Sequence, residues 1–132
     1  MKVVLGLGCD RNTSLETLSN AVDLALAEVK IDKSQVVGLA TIDKKADEVG
    51  LLELAKSFAL DLAFYRADQL AKVEVPNPSP VVLKYMGTAS VSEAAAILLG
   101  EGSQEDLILE KLKHKGADTK NATVSILKVR KT

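Results

Sequence analysis

The chain opens on an apolar run that leads into a polar turn, Val3-Val4-Leu5-Gly6-Leu7-Gly8-Cys9-Asp10-Arg11-Asn12-Thr13-Ser14. A continuous run of Val and Leu is typical of a strand covered on both faces, as in a parallel sheet. We therefore predict a strand over Lys2–Leu7, a glycine-bearing turn, and a helix that begins at about Ser14. Glycine lets backbone N–H groups approach a ligand, and a helix N-terminus carries partial positive charge. The turn is thus a candidate site for an anionic group.

Helical and strand patterns alternate through the first half of the chain. Thr13 and Glu16 form the T-x-x-E pattern of a capping box, and the apolar spacing that follows predicts a helix to about Lys30. The next predicted elements are a strand at Val36–Thr41, a helix over Leu51–Phe58, a strand at Leu62–Tyr65 and a short helix at Arg66–Lys72.

The second half begins with a proline-rich loop at Val75–Pro80, because three prolines remove backbone donors and oppose a helix. A brief helix over Val82–Met86 follows, and Ser90 with Glu93 forms a second capping box that opens an alanine-rich helix. The last predicted elements are that helix at Val91–Leu99 and an antiparallel pair of strands at Asp106–Lys113 and Ala122–Arg130, joined by a loop over His114–Asn121.

This order of elements predicts one α/β domain over residues 1–132, a three-layer α/β/α fold. Its sheet is mixed and mainly parallel, with about five strands, and ends in a C-terminal antiparallel hairpin. In such sheets the ligand crevice lies beyond the carboxyl ends of the parallel strands. The polar turns at Gly8–Thr13 and Asp43–Glu48 both fall at those ends, so we expect them to converge on one site.

Composition excludes several classes of function. A net charge of -1 lacks the basic footprint of a nucleic-acid binder, and 3% aromatic residues disfavour a base-stacking surface. The single cysteine excludes an internal disulfide and fits a reducing compartment. No leader and no apolar run of membrane-spanning length is visible, so we expect a cytoplasmic protein without a membrane partner.

Several blocks of the sequence resemble the CobE/CbiG C-terminal domain family of cobalamin biosynthesis. They are Gly6-Leu7-Gly8-Cys9 with Thr13-Ser14, the stretch Leu39–Leu51, the stretch Gly87–Ala96, and more loosely Lys111 with Thr123–Ile126. The blocks occur in family order and cover nearly the whole chain. The family commonly has a basic pair and a glycine after its cysteine, where this chain has Asp10-Arg11-Asn12. The loop is therefore less positive, although Asn12 can still adopt a left-handed conformation.

The resemblance implies that the partner is a corrin-ring intermediate, together with other enzymes of the cobalamin pathway. Proteins that carry this domain resemble the cobalt-precorrin-5A hydrolase, which opens a lactone on the macrocycle and releases acetaldehyde. In them the domain usually follows further N-terminal regions. Because the first strand follows Met1 directly, we expect the stand-alone form, although a domain trimmed from a longer protein would begin in the same way.

A site for the acetate and propionate groups of a corrin needs hydrogen-bond donors and cations around a broad cleft. Arg11, Lys44 and Lys45 offer cations, and the predicted helix N-termini offer donors. The candidate ligand-binding residues are Gly6, Gly8, Arg11, Thr13, Ser14, Asp43, Lys45, Ser90 and Glu93. In the alternative interpretation, Thr13 and Ser90 only cap helices and the lysines are solvated.

Lactone opening would use a carboxylate to activate water and a cation to stabilise the oxyanion. Glu48 or Asp47 is the candidate base and Lys45 the candidate stabiliser. The alternative is a capping loop in which Asp47 or Asp43 is an N-cap and the charges form a surface ion pair. We expect no metal site and no cofactor: Cys9 is predicted to be a small buried residue, and His114 a solvated loop residue without companion ligands.

Three hypotheses follow from the sequence. The chain is a carrier or assistant that binds a corrin intermediate, a hydrolase that acts on the cobalt-precorrin-5A lactone, or an anion-binding module outside this pathway. An exposed apolar face on the alanine-rich helix would be compatible with a homodimer.

Overall fold

A computed structural model describes residues 1–76 and 91–130. The strands are β1 Val3–Cys9, β2 Val36–Ile42, β3 Leu62–Tyr65, β4 Leu107–Lys115 and β5 Asn121–Lys128. The helices are α1 Leu15–Glu28, α2 Val49–Ser57, α3 Ala67–Ala71 and α4 Val91–Gly100, with short 3-10 turns at Lys33–Gln35, Asp43–Lys45 and Gln104–Asp106.

The strands form one mixed sheet in the order β3-β2-β1-β5-β4. β1, β2 and β3 are parallel, whereas β5 runs antiparallel to β1 and β4 antiparallel to β5. This confirms the predicted α/β fold with a C-terminal hairpin. Because the three parallel strands end at Cys9, Ile42 and Tyr65, the loops that follow them share one edge of the sheet.

Helices cover both faces of the sheet, which makes three layers. Alternate residues of β1 point to opposite faces, so Val3, Leu5 and Leu7 pack into the core beneath α1 and α2. Val4 packs with Ala96 of α4 on the other face. Burial of apolar side chains on both faces explains the unbroken apolar run that predicted β1.

The alanine-rich helix α4 lies very close to β1. A Cβ atom on Gly6 would stand 1.7 Å from the backbone oxygen of Ser92, so only glycine fits there. A Cβ on Gly100 would meet Val4 and Leu127, which shows that α4 runs antiparallel to β1. Residues Ala94–Ile97 are buried against the sheet. The exposed apolar face that would be compatible with a homodimer is therefore not present on the described part of this helix.

Several local predictions misplace the ends of helices and strands. The N-cap of α1 is Ser14, whose Oγ accepts from the Thr17 backbone N–H at 3.1 Å, and not Thr13. The N-cap of α2 is Glu48, so neither Asp47 nor Asp43 caps that helix. His114 lies within β4, paired with Ala122, because the strands extend further into the predicted loop.

Other predictions lie outside the described residues. These are most of the proline-rich loop, the brief helix over Val82–Met86, and the capping box of Ser90 with Glu93, since Ser90 is not described. Among residues 1–76 and 91–130, no helix is long and apolar enough to cross a membrane.

Candidate functional site

The loops after β1 and β2 meet at the carboxyl edge of the sheet, as predicted. Arg11 joins them: its Nη1 donates to Asp47 Oδ1 at 2.7 Å and to Glu48 Oε1 at 2.8 Å. Its Nη2 donates to the backbone oxygen of Lys44 at 3.1 Å. One side chain from the first loop therefore holds three residues of the second.

Glu48 is the buried member of this network. Its side chain is only 4% exposed, and its carboxylate accepts the backbone N–H of Asn12 at 2.9 Å as well as the Arg11 guanidinium. Asn12 has a φ of 62°, the left-handed conformation expected for it. Since a buried carboxylate must be neutralised and hydrogen-bonded, Glu48 and Arg11 together fix the shape of the β1–α1 loop.

The N-terminus of α1 is occupied by a carboxylate of the protein itself. Asp118, in the turn between β4 and β5, accepts the Ser14 backbone N–H at 3.0 Å and the Thr17 hydroxyl at 2.8 Å. These hydrogen bonds, first the one from Ser14, lower the pKa of Asp118 to about 2. Thr13 is buried, and its hydroxyl donates to the backbone oxygen of Asp10 at 2.7 Å. One backbone N–H that the predicted anion site would use, that of Ser14, thus already has an acceptor within the chain.

A second contact ties the same hairpin to the β1–α1 loop. Asp10 Oδ2 accepts the backbone N–H of Asn121 at 2.8 Å, and the Asp10 N–H donates back to the Asn121 oxygen at 3.0 Å. Asp118 and Asn121 were not predicted to be part of the site. The only local signal was the turn composition around Gly116 and Asp118, which says nothing about where the hairpin packs.

A cleft of about 330 Å³ opens between the two loops. Three of its lining side chains are acidic: Asp47, Glu48 and Glu53. The other lining residues are Asn12, Thr13, Ser14, Leu15, Val49 and Gly50. Four of the predicted site residues, Thr13, Ser14, Asp47 and Glu48, therefore line this cleft, and its walls are more acidic than expected for an anion site.

The remaining predicted residues of the second loop lie on its 3-10 turn, Asp43–Lys45. Asp43 and Lys44 are exposed and Lys45 is half-buried. The Lys45 ammonium lies near the junction of the two loops, since its charge acts on Asp47, where the effect of Arg11 on the pKa is larger, and on Cys9, where burial outweighs it.

Three other predicted residues lie away from the cleft. Gly6 is covered by α4, and Gly8 faces Thr123, whose Oγ1 would be 2.5 Å from an added Cβ. Glu93 is fully buried in the first turn of α4, on the opposite face of the sheet from α1. The structure thus brings together Arg11, Asp47 and Glu48 but not these three.

The Cys9 thiol is not activated as a nucleophile, and His114 is not the solvated loop residue that was predicted, since it lies within β4 with its Nε2 buried. Burial raises the pKa of the Cys9 thiol to about 11, so it is protonated at neutral pH. Within the described ranges, no group of three or more His, Cys, Asp or Glu side chains is placed to hold a metal ion.

A larger cavity, of about 470 Å³, lies at the other edge of the sheet near the C-terminal end of α4. Its apolar lining residues are Val73, Ile97 and Leu98, and its acidic ones are Glu74, Glu101 and Glu105. It contains none of the predicted site residues. The carboxyl-edge cleft, where two loops converge, is the better candidate despite its smaller volume.

Comparison with known proteins agrees with this assignment of the fold. A family model described as "Cobalamin synthesis G C-terminus" matches residues 3–127. A protein named "Protein CobE" from Sinorhizobium sp is 37% identical over 112 residues, which cover 83% of this chain and 72% of that protein. A "Cobalt-precorrin-5A hydrolase" from Priestia megaterium is 32% identical over 124 residues, 94% of this chain but only 31% of the relative.

Solved structures show the same architecture. The crystal structure of CobE, a protein from the cobalamin biosynthetic pathway, superposes with a TM-score of 0.76 at 29% identity, covering 98% of this chain and 93% of that one. A structure of a cobalamin biosynthesis protein from Agrobacterium tumefaciens gives a TM-score of 0.69, also at 29% identity, over 97% of this chain and 98% of that one. The chain therefore spans most of the CobE-type proteins but about a third of the Priestia megaterium hydrolase.

Proposed function

This chain belongs to the CbiG C-terminal family of cobalamin synthesis, and from that premise we propose that it binds a corrin-ring intermediate as a carrier or assistant. The binding site in this proposal is the cleft at the carboxyl edge of the parallel strands. Family membership argues against the third hypothesis, an anion-binding module outside the pathway.

The observation that supports a carrier role is that the Glu48 carboxylate is buried and already hydrogen-bonded. A general base must be free to take a proton from a water molecule that faces the substrate. The Glu48 carboxylate is instead buried, with Arg11 on Oε1 at 2.8 Å and the Asn12 N–H on Oε2 at 2.9 Å. Its hydrogen bonds hold the β1–α1 loop in place, which favours a binding role for the protein over a hydrolytic one.

Asp47 is a weak base for a related reason. Its hydrogen bond from Arg11, and then the charge of that guanidinium, hold the pKa of the carboxyl below its usual range. A carboxylate with a lowered pKa takes a proton from water less readily than an ordinary one. Lys45 and Arg11 are the cations that would meet carboxylates of the corrin.

The second candidate function is hydrolysis of the cobalt-precorrin-5A lactone. It is supported by the 32% identity to the Priestia megaterium hydrolase and by the exposed Asp47, on which the charge of Lys45 acts. Other enzymes of the pathway are the partners that we propose for a carrier, because a bound intermediate must be handed on.

The test is a spectroscopic titration of the protein with cobalt-precorrin-5A, followed by an acetaldehyde assay on the same sample. The carrier proposal expects a saturable shift of the visible bands without acetaldehyde. Catalytic release of acetaldehyde that disappears in Asp47→Asn, with binding retained, would establish the hydrolase instead. The absence of both binding and product would refute the two proposals together.

Lys45→Ala tests whether the cations contribute to binding. An exposed charge pair is worth up to about 1 kcal/mol, so we expect affinity to fall by about two- to fivefold. Lys56→Ala is the matched control, since Lys56 is an exposed lysine in the last turn of α2, away from the cleft. Equal losses in the two variants would indicate an effect of net charge and not of the site.

A further inference from the structure

The two carboxylates on Arg11 differ in how firmly they are held. Both accept from the same nitrogen, Nη1, but the Asp47 side chain is 76% exposed and that of Glu48 is 4% exposed. Glu48 also receives the backbone N–H of Asn12. Among the residues that the structure describes, Arg11 is the one other residue that donates a side-chain hydrogen bond to Asp47, in an exposed ion pair of the kind that contributes little to stability. Asp47 can therefore be replaced at Arg11 while Glu48 stays.

Arg11 retains donors for a further partner. A guanidinium group carries five N–H bonds. Within the part of the chain that the structure describes, three hydrogen bonds leave it, to Asp47, Glu48 and the Lys44 oxygen. The side chain is 54% exposed. If Asp47 moves away, an incoming carboxylate gains the donor that Asp47 used beside those that are unused.

The charge of the cleft gives a reason for this exchange. Asp47, Glu48 and Glu53 line it, and the nearby guanidinium of Arg11 already serves two of them. A ligand with several carboxylates would meet like charge on these walls. Release of Asp47 into water frees one Arg11 donor for the ligand and moves one negative charge away from the ligand.

We propose that Asp47 holds the position at Arg11 that a carboxylate of the corrin takes on binding, so that Asp47 competes with the ligand. This inference rests on the proposed corrin binding and deepens it. Arg11 stays anchored to the buried Glu48 throughout, and only the exposed ion pair is exchanged. A competitor of this kind favours ligands that offer Arg11 a better-placed carboxylate than the protein does.

The experiment titrates three proteins, the wild type, Asp47→Asn and Glu53→Gln, with two probes. The probes are cobyrinic acid, a corrin with free carboxylates, and its methyl ester, which lacks their charge. Both are followed by their visible absorption. Glu53→Gln is the matched control, because it removes one negative charge from the same cleft without releasing a partner of Arg11. Circular dichroism and melting temperature check that each variant is folded.

We expect Asp47→Asn to bind cobyrinic acid about 1.5- to 5-fold more tightly than the wild type, the range of an exposed ion pair. Glu53→Gln should gain less, and affinity for the ester should not change in either variant. Equal gains in the two variants, a gain for the ester as large as for the acid, or unchanged or weaker binding by folded Asp47→Asn would each overturn the inference while leaving the binding proposal intact. If no protein binds either probe, the proposed function fails and the inference fails with it.

Discussion

Replacing Gly6 by alanine tests whether this glycine exists for helix packing or for a ligand. The added Cβ would stand 1.7 Å from the Ser92 oxygen and 2.8 Å from the Ala96 nitrogen, both backbone atoms of α4. Ordinary contacts of a Cβ begin at 3.4 Å. Neither β1, which is paired on both sides, nor the helix backbone can rotate away, so α4 must retreat as a unit.

The loss of stability expected for Gly6→Ala follows from the residues that α4 buries. Its residues Ala94, Ala95 and Ala96 are fully buried against the sheet, and all three lose contact when the helix retreats. Overpacking of a core costs about 1–3 kcal/mol, and a clash with rigid backbone belongs at or above the upper end. We therefore expect Gly6→Ala to lower the free energy of unfolding by at least about 3 kcal/mol, or the melting temperature by roughly 10 °C.

Gly8→Ala is the matched control, two residues further along the same strand. Within the part of the chain that the structure describes, its Cβ would come closer than 3.4 Å to one atom, the side-chain oxygen of Thr123 at 2.5 Å, which can rotate to another rotamer. We expect a loss below about 1 kcal/mol in urea unfolding, with the m-value unchanged. The reasoning fails if Gly6→Ala is no less stable than Gly8→Ala. A stable Gly6→Ala protein with weakened corrin binding would support the ligand role predicted from the sequence.

Three further predictions concern the two loops and the hairpin. Ser14→Ala should cost about 1 kcal/mol of stability because Ser14 caps α1, whereas Glu16→Ala should change it by less than about 0.5 kcal/mol; equal losses in urea unfolding would contradict the observed cap. Asp118 has its pKa lowered from 3.8 to about 2, so its ionised form stabilises the fold above pH 4 and that contribution fades as the pH falls to 2. Stability measured over this range should therefore depend less on pH in Asp118→Asn, and identical pH profiles would refute the contact. Cys9, with a pKa of about 11, should react with iodoacetamide at pH 8 about a hundredfold more slowly than a free thiol; labelling as fast as that of glutathione would show that the thiol is not buried.

The sheet was predictable from the sequence because its strands carry strong local patterns. β3 spans Leu62–Tyr65 as predicted, β1 begins one residue later and ends two residues later than predicted, and β2 ends one residue later. Local patterns were less reliable at element ends. Thr13 and Ser14 both carry a hydroxyl that could cap α1, but the Thr13 hydroxyl donates to the backbone oxygen of Asp10 instead. That choice depends on the conformation of the loop, which the T-x-x-E pattern does not contain.

The meeting of the two polar loops was predictable from the sequence, but the hydrogen bonds between them were not. The rule that ligand crevices follow parallel strands correctly brought the two polar loops together. The partners within them could not be read from spacing, since Arg11 reaches Glu48 across 37 positions and Asp118 reaches Ser14 across 104. Those contacts depend on where α2 and the hairpin pack, and packing is set by the whole core.

These hydrogen bonds change how the site would hold an anion. The sequence predicted that backbone N–H groups at the start of α1 would bind the anion. In the structure, Asp118 already accepts the Ser14 N–H, and Glu48 accepts the Asn12 N–H of the same loop. The negative charges of Asp118 and Glu48 therefore reduce the positive potential that the helix terminus offers to a ligand. The attraction would then come from two partly exposed cations, Arg11 and Lys45. Such attraction is screened by salt, so affinity for corrin carboxylates should fall steeply with ionic strength, which a rigid cradle of buried N–H groups would resist.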